Sequence, residues 1–417
     1  MSCPFTGDDS NSLGLAEATI PGAASTSGNS DSATSDSESA TTPKAFRRGG
    51  KDDKITRADE GFFGPDSVAW KVWKFPGAAL QGFARAVTIE HLDPDLVAAV
   101  DASGQVIKRT PIRYDRTMEY FAAVLAADAQ TVIRMSDILM KVHDRSYGVN
   151  PVTGNHYEAN KPSSQLWIHV TAWHSILYVY EKFGPGKLSR DEENEYWAQC
   201  AISAQFQPID PADVPRTRGE VQAYLDSWRE KLSASEAAVF NIDHILDGFE
   251  TIEPDLPKWL QKLGRPLLRR SIIATYPRWM RSMMGLKESS KVMDTLSIAA
   301  WKPIYKVLSA GPSLFLWLVK RICPRALRYY VPILLKEPAE TPRVYTPEVA
   351  RRMFGNPLTP LEQREELLKK RQQGTGQKAY EHNHDDEILE FHAADDPETA
   401  EAALNSTGKY EQHQQVS

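Results

Sequence analysis

Residues 136–175 read SDILMKVHDRSYGVNPVTGNHYEANKPSSQLWIHVTAWHS, and this stretch decides the fold. Before His143, apolar residues recur at helical spacing, at Val132, Met135, Leu139 and Val142. A turn at Pro151-Val-Thr-Gly154 follows, and then a second helical segment that carries His169. The stretch therefore predicts two helices joined through a turn, with His143 at the end of the first.

A second polar group precedes this stretch, at Arg113, Arg116 and Thr117. The spacing i, i+3, i+4 places these three side chains on one helix face. A histidine at the edge of an apolar helix together with guanidinium groups is what a haem pocket needs, since imidazole binds iron and arginine pairs with propionates or negatively charged oxygen. Two simpler interpretations stay open, a core histidine at 143 and surface ion pairs of Arg116 with Asp115 or Glu119.

Two further residues are candidates for the same pocket. Tyr147 lies four residues after His143 and shares its face if the helix continues, so that its hydroxyl could bond a propionate. His169 falls on an apolar face with Leu166, Val170 and Trp173, where it is a second ligand, a haem-edge contact or a core histidine. His174 lies about 140° further around the helix, which argues against a metal pair with His169.

Composition sets the class of the chain. The 417 residues are 41% hydrophobic and carry a net charge of −6, which gives enough apolar residues for a core and no general attraction to nucleic acid. Three cysteines form neither a disulfide framework nor a zinc spacing, and this fits a reducing compartment. The N-terminus lacks a signal-peptide pattern, and no apolar run reaches the length of a membrane-spanning helix. We expect a cytoplasmic protein that is soluble or peripheral at the inner face of a membrane.

The chain divides into three parts. Residues 61–345 are helix after helix with little strand alternation, which predicts one all-α, multi-helix domain. Ser189-Arg-Asp-Glu192 and Thr217-Arg-Gly-Glu220 resemble capping boxes that open helices. Residues 1–60 and 356–417 are polar, and we expect them to be disordered tails, apart from a solvated helix over 362–373.

The second half of the domain is strongly basic. Residues 258–336 hold sixteen Lys or Arg against two acids, with tryptophan and tyrosine interleaved. Basic amphipathic helices with aromatic residues suit an anionic membrane surface. The alternative is a helical shell whose solvated side is basic, and nucleic acid is not expected because no binding motif accompanies the charge.

Several common chemistries lack their motifs in this sequence. There is no G-x-S-x-G, no glycine-rich phosphate loop, no H-E-x-x-H and no G-x-G-x-x-G. The Glu-x-x-His spacing of a di-iron bundle was found at Glu381 and His384, which lie in the polar tail.

Several blocks together resemble the MpaB and latex-clearing rubber oxygenase family. They are GPDSVAWKVWKFPGAALQGFARAVTIEHLDP, RYDRT, VHDRSYGVNPVTGNHYEANKPSSQLWIHVT, LSRDEENEYWAQ and DVPRTRGEVQAYL. The resemblance covers about residues 61–330. It implies a mostly helical, partly globin-like fold that binds b-type haem and uses dioxygen to cleave carbon–carbon double bonds of isoprenoids.

The resemblance also implies roles for residues of this chain. His143 matches the axial iron ligand, and Arg113 and Thr117 match residues that surround the haem. Arg116 stands where rubber-cleaving members have a distal lysine, and Tyr147 where they have an arginine. Asp93 replaces a histidine that is common in related sequences. At these three positions the chain departs from the pattern of the family.

The sequence thus predicts a haem b-dependent oxygenase that acts on an apolar substrate such as an isoprenoid, with dioxygen as co-substrate. His143 is the expected metal ligand, and Tyr147, His169 and Arg113 are expected to bind the cofactor. Arg113, Arg116 and Thr117 form the expected catalytic face. The alternative is a non-catalytic haem- or lipid-binding protein that is peripheral to an anionic membrane.

Overall fold

The computed structural model describes residues 56–102, 106–248, 258–287 and 289–379. The first half contains α1 (Val68–Trp73), a π-helical turn (Ala78–Gly82), α2 (Phe83–Glu90), α3 (Pro94–Ala102), α4 (Val106–Ala126), α5 (Ala129–Asp144), β1 (Tyr147–Val149), β2 (His156–Glu158), α6 (Pro162–Phe183), α7 (Arg190–Ala204) and α8 (Arg218–Ser227). The second half contains α9 (Glu236–Leu246), α10 (Lys258–Ile273), α11 (Arg278–Met283), α12 (Lys291–Ala310), α13 (Pro312–Ile322), α14 (Leu327–Leu335), α15 (Pro347–Phe354) and α16 (Pro360–Gln372). The prediction of an all-α class is confirmed.

Side-chain caps begin many of these helices, as the sequence indicates. Ser189 and Glu192 make both hydrogen bonds of a capping box at the start of α7. Thr217 caps α8 by accepting from the N–H of Glu220 at 3.2 Å. The Glu220 carboxylate, however, accepts from the N–H of Arg216 and not from that of Thr217, so the second predicted box forms only in part.

The segment after His143 is a β-hairpin and not a continued helix. Helix α5 ends at Asp144, and β1 then pairs antiparallel with β2, Gly148 opposite Tyr157. Gly154 closes the predicted Pro-Val-Thr-Gly turn with a φ of 72°, a left-handed conformation that glycine adopts without strain. The expectation that Tyr147 shares a helix face with His143 is therefore wrong, because the helix ends between them.

Helix α6 lies at the centre of the core. Its side chains are buried on almost every side, which is typical of a helix surrounded by other elements. It packs against α1, α2, the π-helical turn, α7, α8 and α12. Gly82 of the π-helical turn allows a close approach to α6, since a Cβ there would lie 3.2 Å from the Cα of Ile176. This central helix also supplies one wall of the site described below.

The basic second half is partly neutralised by ion pairs, both with the end of α9 and within itself. Arg269 donates to Asp243 of α9 at 2.7 Å and to Asp247, the residue that follows α9, at 3.1 Å. Arg281, which is buried, bonds Asp294 at 2.8 Å. Elsewhere the outer surface of α10, α12 and α13 exposes large apolar side chains, at Trp259, Leu263, Val292, Met293, Leu296, Ile304, Val307, Leu314 and Trp317. Every helix in the described part of the chain is too short or too polar to cross a membrane.

The packed region extends beyond residues 61–345 at both ends. Asp59 is buried and accepts from the N–H of Ala129 at 2.8 Å, at the first residue of α5. At the other end, Arg351 of α15 bonds Asp137 of α5 at 3.1 Å, and α16 also packs on α5. The predicted solvated helix over 362–373 is therefore α16, in contact with the core. The remainder of both predicted tails, 1–55 and 380–417, lies outside the described residues.

Candidate functional site

A cavity of about 340 Å³ lies where α2, α3, α4, α5, α6 and α9 meet. Four of the residues singled out in the sequence line it together: Arg113, Arg116, Thr117 and His143. Most of the remaining wall is apolar, with Val87, Leu96, Leu139, Val142, Ile168 and Ile245. A concave, mainly apolar cavity with a few converging polar groups is the usual form of a small-molecule site.

His143 reaches the cavity from the last turn of α5. Burial lowers the pKa of its imidazole to about 4, so the ring is neutral at physiological pH. Its Nδ1 lies 3.4 Å from Nε2 of Gln165 on α6. Gln165 is itself held, because it donates to the carbonyl of Ala159 at 2.7 Å and accepts from Gln207 at 3.2 Å.

Helix α4 presents the arginine face to the cavity because its opposite face is anchored elsewhere. Asp115 accepts from the backbone N–H of Arg325 at 3.1 Å, and Glu119 accepts from the guanidinium of Arg328 at 2.8 Å. These acids, which the surface-pair interpretation assigned to Arg116, connect α4 to the start of α14 and the turn before it. Burial raises the pKa of Asp115 to about 6 and that of Glu119 to about 7. The anchoring fixes the rotation of α4 and so directs Arg113, Arg116 and Thr117 inward.

Two lining residues, Glu90 and His91, were not selected from the sequence. Both are buried at the end of α2. Burial raises the pKa of Glu90 to about 8, so its carboxyl group holds a proton at neutral pH. His91 donates from Nδ1 to the carbonyl of Val87 at 2.7 Å, and burial together with the nearby Arg113 lowers its pKa to about 4. Both residues lie just before the helix break at Asp93-Pro94, and this position in the sequence was the signal that could have identified them.

Tyr147 and His169 are not among the described residues that line the cavity. The Tyr147 ring lies under the guanidinium of Arg371, 3.9 Å from its centroid, on the hairpin. His169 is fully buried in α6 and donates from Nε2 to the carbonyl of Cys200 at 2.8 Å. The core-histidine alternative describes His169, whose ring lies behind the wall and stacks against the lining residue Phe121, with 6.3 Å between the ring centroids.

Asp93, which stands where related sequences have a histidine, accepts a hydrogen bond from the backbone. Its Oδ1 accepts from the N–H of Asp95 at 3.0 Å, in the first turn of α3. Among the described residues, this acid is not part of the cavity wall.

The donor set of the cavity fits haem. The neutral imidazoles of His91 and His143 would be available to bind iron, and Arg113 and Arg116 would make charge-assisted bonds to propionates. Such a group would bring further iron ligands of its own, so the protein would need no cluster of ligands. In the described part of the chain, no group of three or more His, Cys, Asp or Glu side chains is placed to hold a metal ion.

Comparison with known proteins agrees with the resemblance seen in the sequence. No curated protein and no solved structure matches the chain. The profile of one family, described as ER-bound oxygenase mpaB/B′/rubber oxygenase, catalytic domain, matches residues 70–306, which include every cavity residue named above. The chain therefore belongs to the mpaB/B′ and rubber oxygenase family and carries its oxygenase catalytic domain.

Proposed function

We propose that the protein is a haem b-dependent oxygenase with His143 as an axial iron ligand and an apolar substrate. The single observation that carries the proposal is the meeting of His143 with Arg113, Arg116 and Thr117 in one mainly apolar cavity. About 30 residues and a helix break separate His143 from the arginines, so their meeting is a property of the fold. Membership in an oxygenase family supplies the reaction class.

Haem, when bound, would supply dioxygen binding and redox chemistry at its iron. His143 would hold the iron through a neutral ring. Arg113 and Arg116 would anchor propionates or stabilise negative charge that develops on oxygen. The Thr117 hydroxyl offers a donor and an acceptor at the same wall.

The cavity wall indicates the class of substrate. Its aliphatic residues on α2, α3, α5, α6 and α9 favour an apolar molecule. Glu90 would hold a proton at its carboxyl group in this wall, where it can donate a hydrogen bond. A short isoprenoid alkene matches this combination of apolar surface and few polar groups.

The first experiment measures haem content and double-bond cleavage in the purified full chain. We expect about one haem per chain and dioxygen-dependent cleavage of a short isoprenoid, while its saturated analogue stays intact. His143→Ala should lose stoichiometric haem and the activity. The control is His156→Ala, because His156 is exposed on β2 away from the cavity wall. Full haem retention by His143→Ala would remove the assignment.

A second candidate function is binding to an anionic membrane face, with or without catalysis. It is favoured by the exposed apolar residues of α10, α12 and α13, here called the apolar outer surface, which comprises Trp259, Leu263, Val292, Met293, Leu296, Ile304, Val307, Leu314 and Trp317. Exposed lysines stand on the same three helices, at Lys258, Lys262, Lys291, Lys302, Lys306 and Lys320. Apolar anchors with lysines suit an anionic leaflet, where an isoprenoid would also be dissolved.

A further inference from the structure

Two imidazoles line the cavity from separate helices. Among its described lining residues, His91 and His143 are the two histidines. His91 is the C-cap of α2, which packs on α6 and α9, whereas His143 lies in the last turn of α5, which packs on α4, α15 and α16. The two rings therefore enter from parts of the fold that are supported independently.

The hydrogen bond of His91 fixes its tautomer. A carbonyl oxygen can only accept, so the 2.7 Å contact with Val87 requires the proton on Nδ1. In a neutral ring this leaves the lone pair on Nε2. A metal-binding histidine is usually held in this way, with one ring nitrogen donating to a backbone carbonyl and the other free for the metal.

Packing also fixes the backbone that carries His91. In α2, Arg85 donates to the hydroxyl of Ser175 on α6 at 2.6 Å, and Thr88 bonds the hydroxyl of Tyr276. After His91 the chain turns, with the N–H of Asp93 donating to the carbonyl of Glu90 at 2.9 Å. The imidazole therefore stands on a rigid support, which is the condition for an ordered ligand.

The arginines cannot take the same role. A guanidinium group has no lone pair to give to a metal at physiological pH, so Arg113 and Arg116 offer charge and hydrogen bonds only. Imidazole is the strongest iron ligand that the described wall provides. The question is then how many of the two imidazoles bind.

We propose that His91 is a second axial ligand, so that His91 and His143 both bind the resting haem iron and His91 must leave before an exogenous ligand can bind. The inference rests on the proposed function, since it requires haem in this cavity. It assigns His91 a gating role in addition to the ligand role of His143. Because a competing internal ligand reduces the fraction of open sites, it lowers the apparent affinity for external ligands by that fraction.

The experiment compares the full-length wild type with His91→Gln, and with His156→Gln as the matched control at an exposed histidine. Glutamine keeps an N–H for the Val87 carbonyl and removes the strong ligand. We expect a low-spin, six-coordinate ferric spectrum for the wild type and for His156→Gln. His91→Gln should keep haem, show the high-spin signature in absorption and electron paramagnetic resonance, and bind carbon monoxide in the ferrous state about tenfold faster or more.

The outcomes separate the two proposals. Haem bound at full stoichiometry in all three proteins, with identical spin state and carbon monoxide kinetics, overturns the role of His91 and leaves the proposed function in place. A wild type without haem, purified from haem-replete cells, overturns both. Spectral change confined to His91→Gln supports the second ligand, and unchanged circular dichroism would show that the variant is folded.

Discussion

At the scale of single residues, the cavity depends on side chains that burial keeps neutral. His91 and His143 have pKa values lowered to about 4, and Glu90 has a pKa raised to about 8, in each case with burial as the largest cause. The cavity wall thus holds two neutral imidazoles and one protonated carboxyl group at neutral pH. Perturbed groups collected in one cavity are what a functional site requires.

Glu90 should make the stability of the fold dependent on pH. Its carboxyl group has a pKa of about 8 when folded against 4.5 as its ordinary value. The folded state therefore keeps a proton that the unfolded chain loses, and the free energy of unfolding falls as pH rises from 4.5 to about 8. In denaturant unfolding, the free energy of unfolding of Glu90→Gln should fall less between pH 7 and 8 than that of the wild type.

The other buried titratable groups define the best window for this comparison. Glu119 and Asp115 have pKa values of about 7 and about 6, so they change the free energy of unfolding mainly at pH values below 7 to 8. Those of the cavity histidines act between their folded pKa near 4 and the ordinary value of 6.5. Glu366→Gln, at an exposed position on α16, is the control and should follow the wild type. An identical pH profile for Glu90→Gln contradicts the prediction.

At the scale of elements, α16 supports the end of α5 from outside the family region of 70–306. Arg371 donates to the carbonyl of Asp144 at 2.8 Å and also bonds the Asp144 carboxylate, directly after His143. Arg364 bonds Glu158, a residue of the cavity wall. Helix α16 thus fixes both the end of α5 and the hairpin beside the candidate ligand.

Removing Arg371 should weaken both the fold and the hold on haem. In Arg371→Ala the Asp144 carboxylate, which is 2% exposed, loses its charged partner, and we expect the free energy of unfolding to fall by about 1–3 kcal/mol. Because His143 precedes Asp144, haem should also dissociate faster. Arg352→Ala removes an exposed pair with Glu348 and should change stability by less than about 0.5 kcal/mol. Equal effects of the two variants in urea unfolding would refute this role of Arg371.

At the scale of the whole molecule, positive charge and exposed apolar side chains are concentrated in the second half of the domain. The ion pairs of Arg269 and Arg281 use part of that charge inside the domain. The lysines of α10, α12 and α13 stay exposed beside the apolar outer surface. A net-negative protein therefore has one part that suits an anionic leaflet.

Vesicle binding tests this surface in the full-length protein. We expect sedimentation with anionic vesicles, weak or no binding to neutral vesicles, and loss of binding at high salt. Trp317→Ala should weaken binding by about tenfold, because a half-exposed indole that enters the interface contributes on the order of 1.5 kcal/mol. Phe240→Ala, at an exposed residue of α9, is the control. Binding that ignores lipid charge, or an equal loss in both variants, counts against membrane docking.

The sequence by itself determined the all-α class, the turn at Pro151–Gly154, the α7 capping box and the shared face of Arg113, Arg116 and Thr117. These features depend on local spacing and on caps within a few residues, so pattern is sufficient to find them. The stretch of sequence that follows His143 also indicated the family. The chemistry of haem and of an apolar substrate stays a prediction from that resemblance.

The tertiary structure alone decided which of the candidates meet. It brought α2 to the same cavity as α5, which added Glu90 and His91, and it placed Tyr147 and His169 away from the cavity wall. It also showed that residues 56–60 and α16 contact α5. The polar composition of those two segments gives no indication of these contacts. Packing between distant helices sets these positions, and local spacing in a sequence carries no information about it.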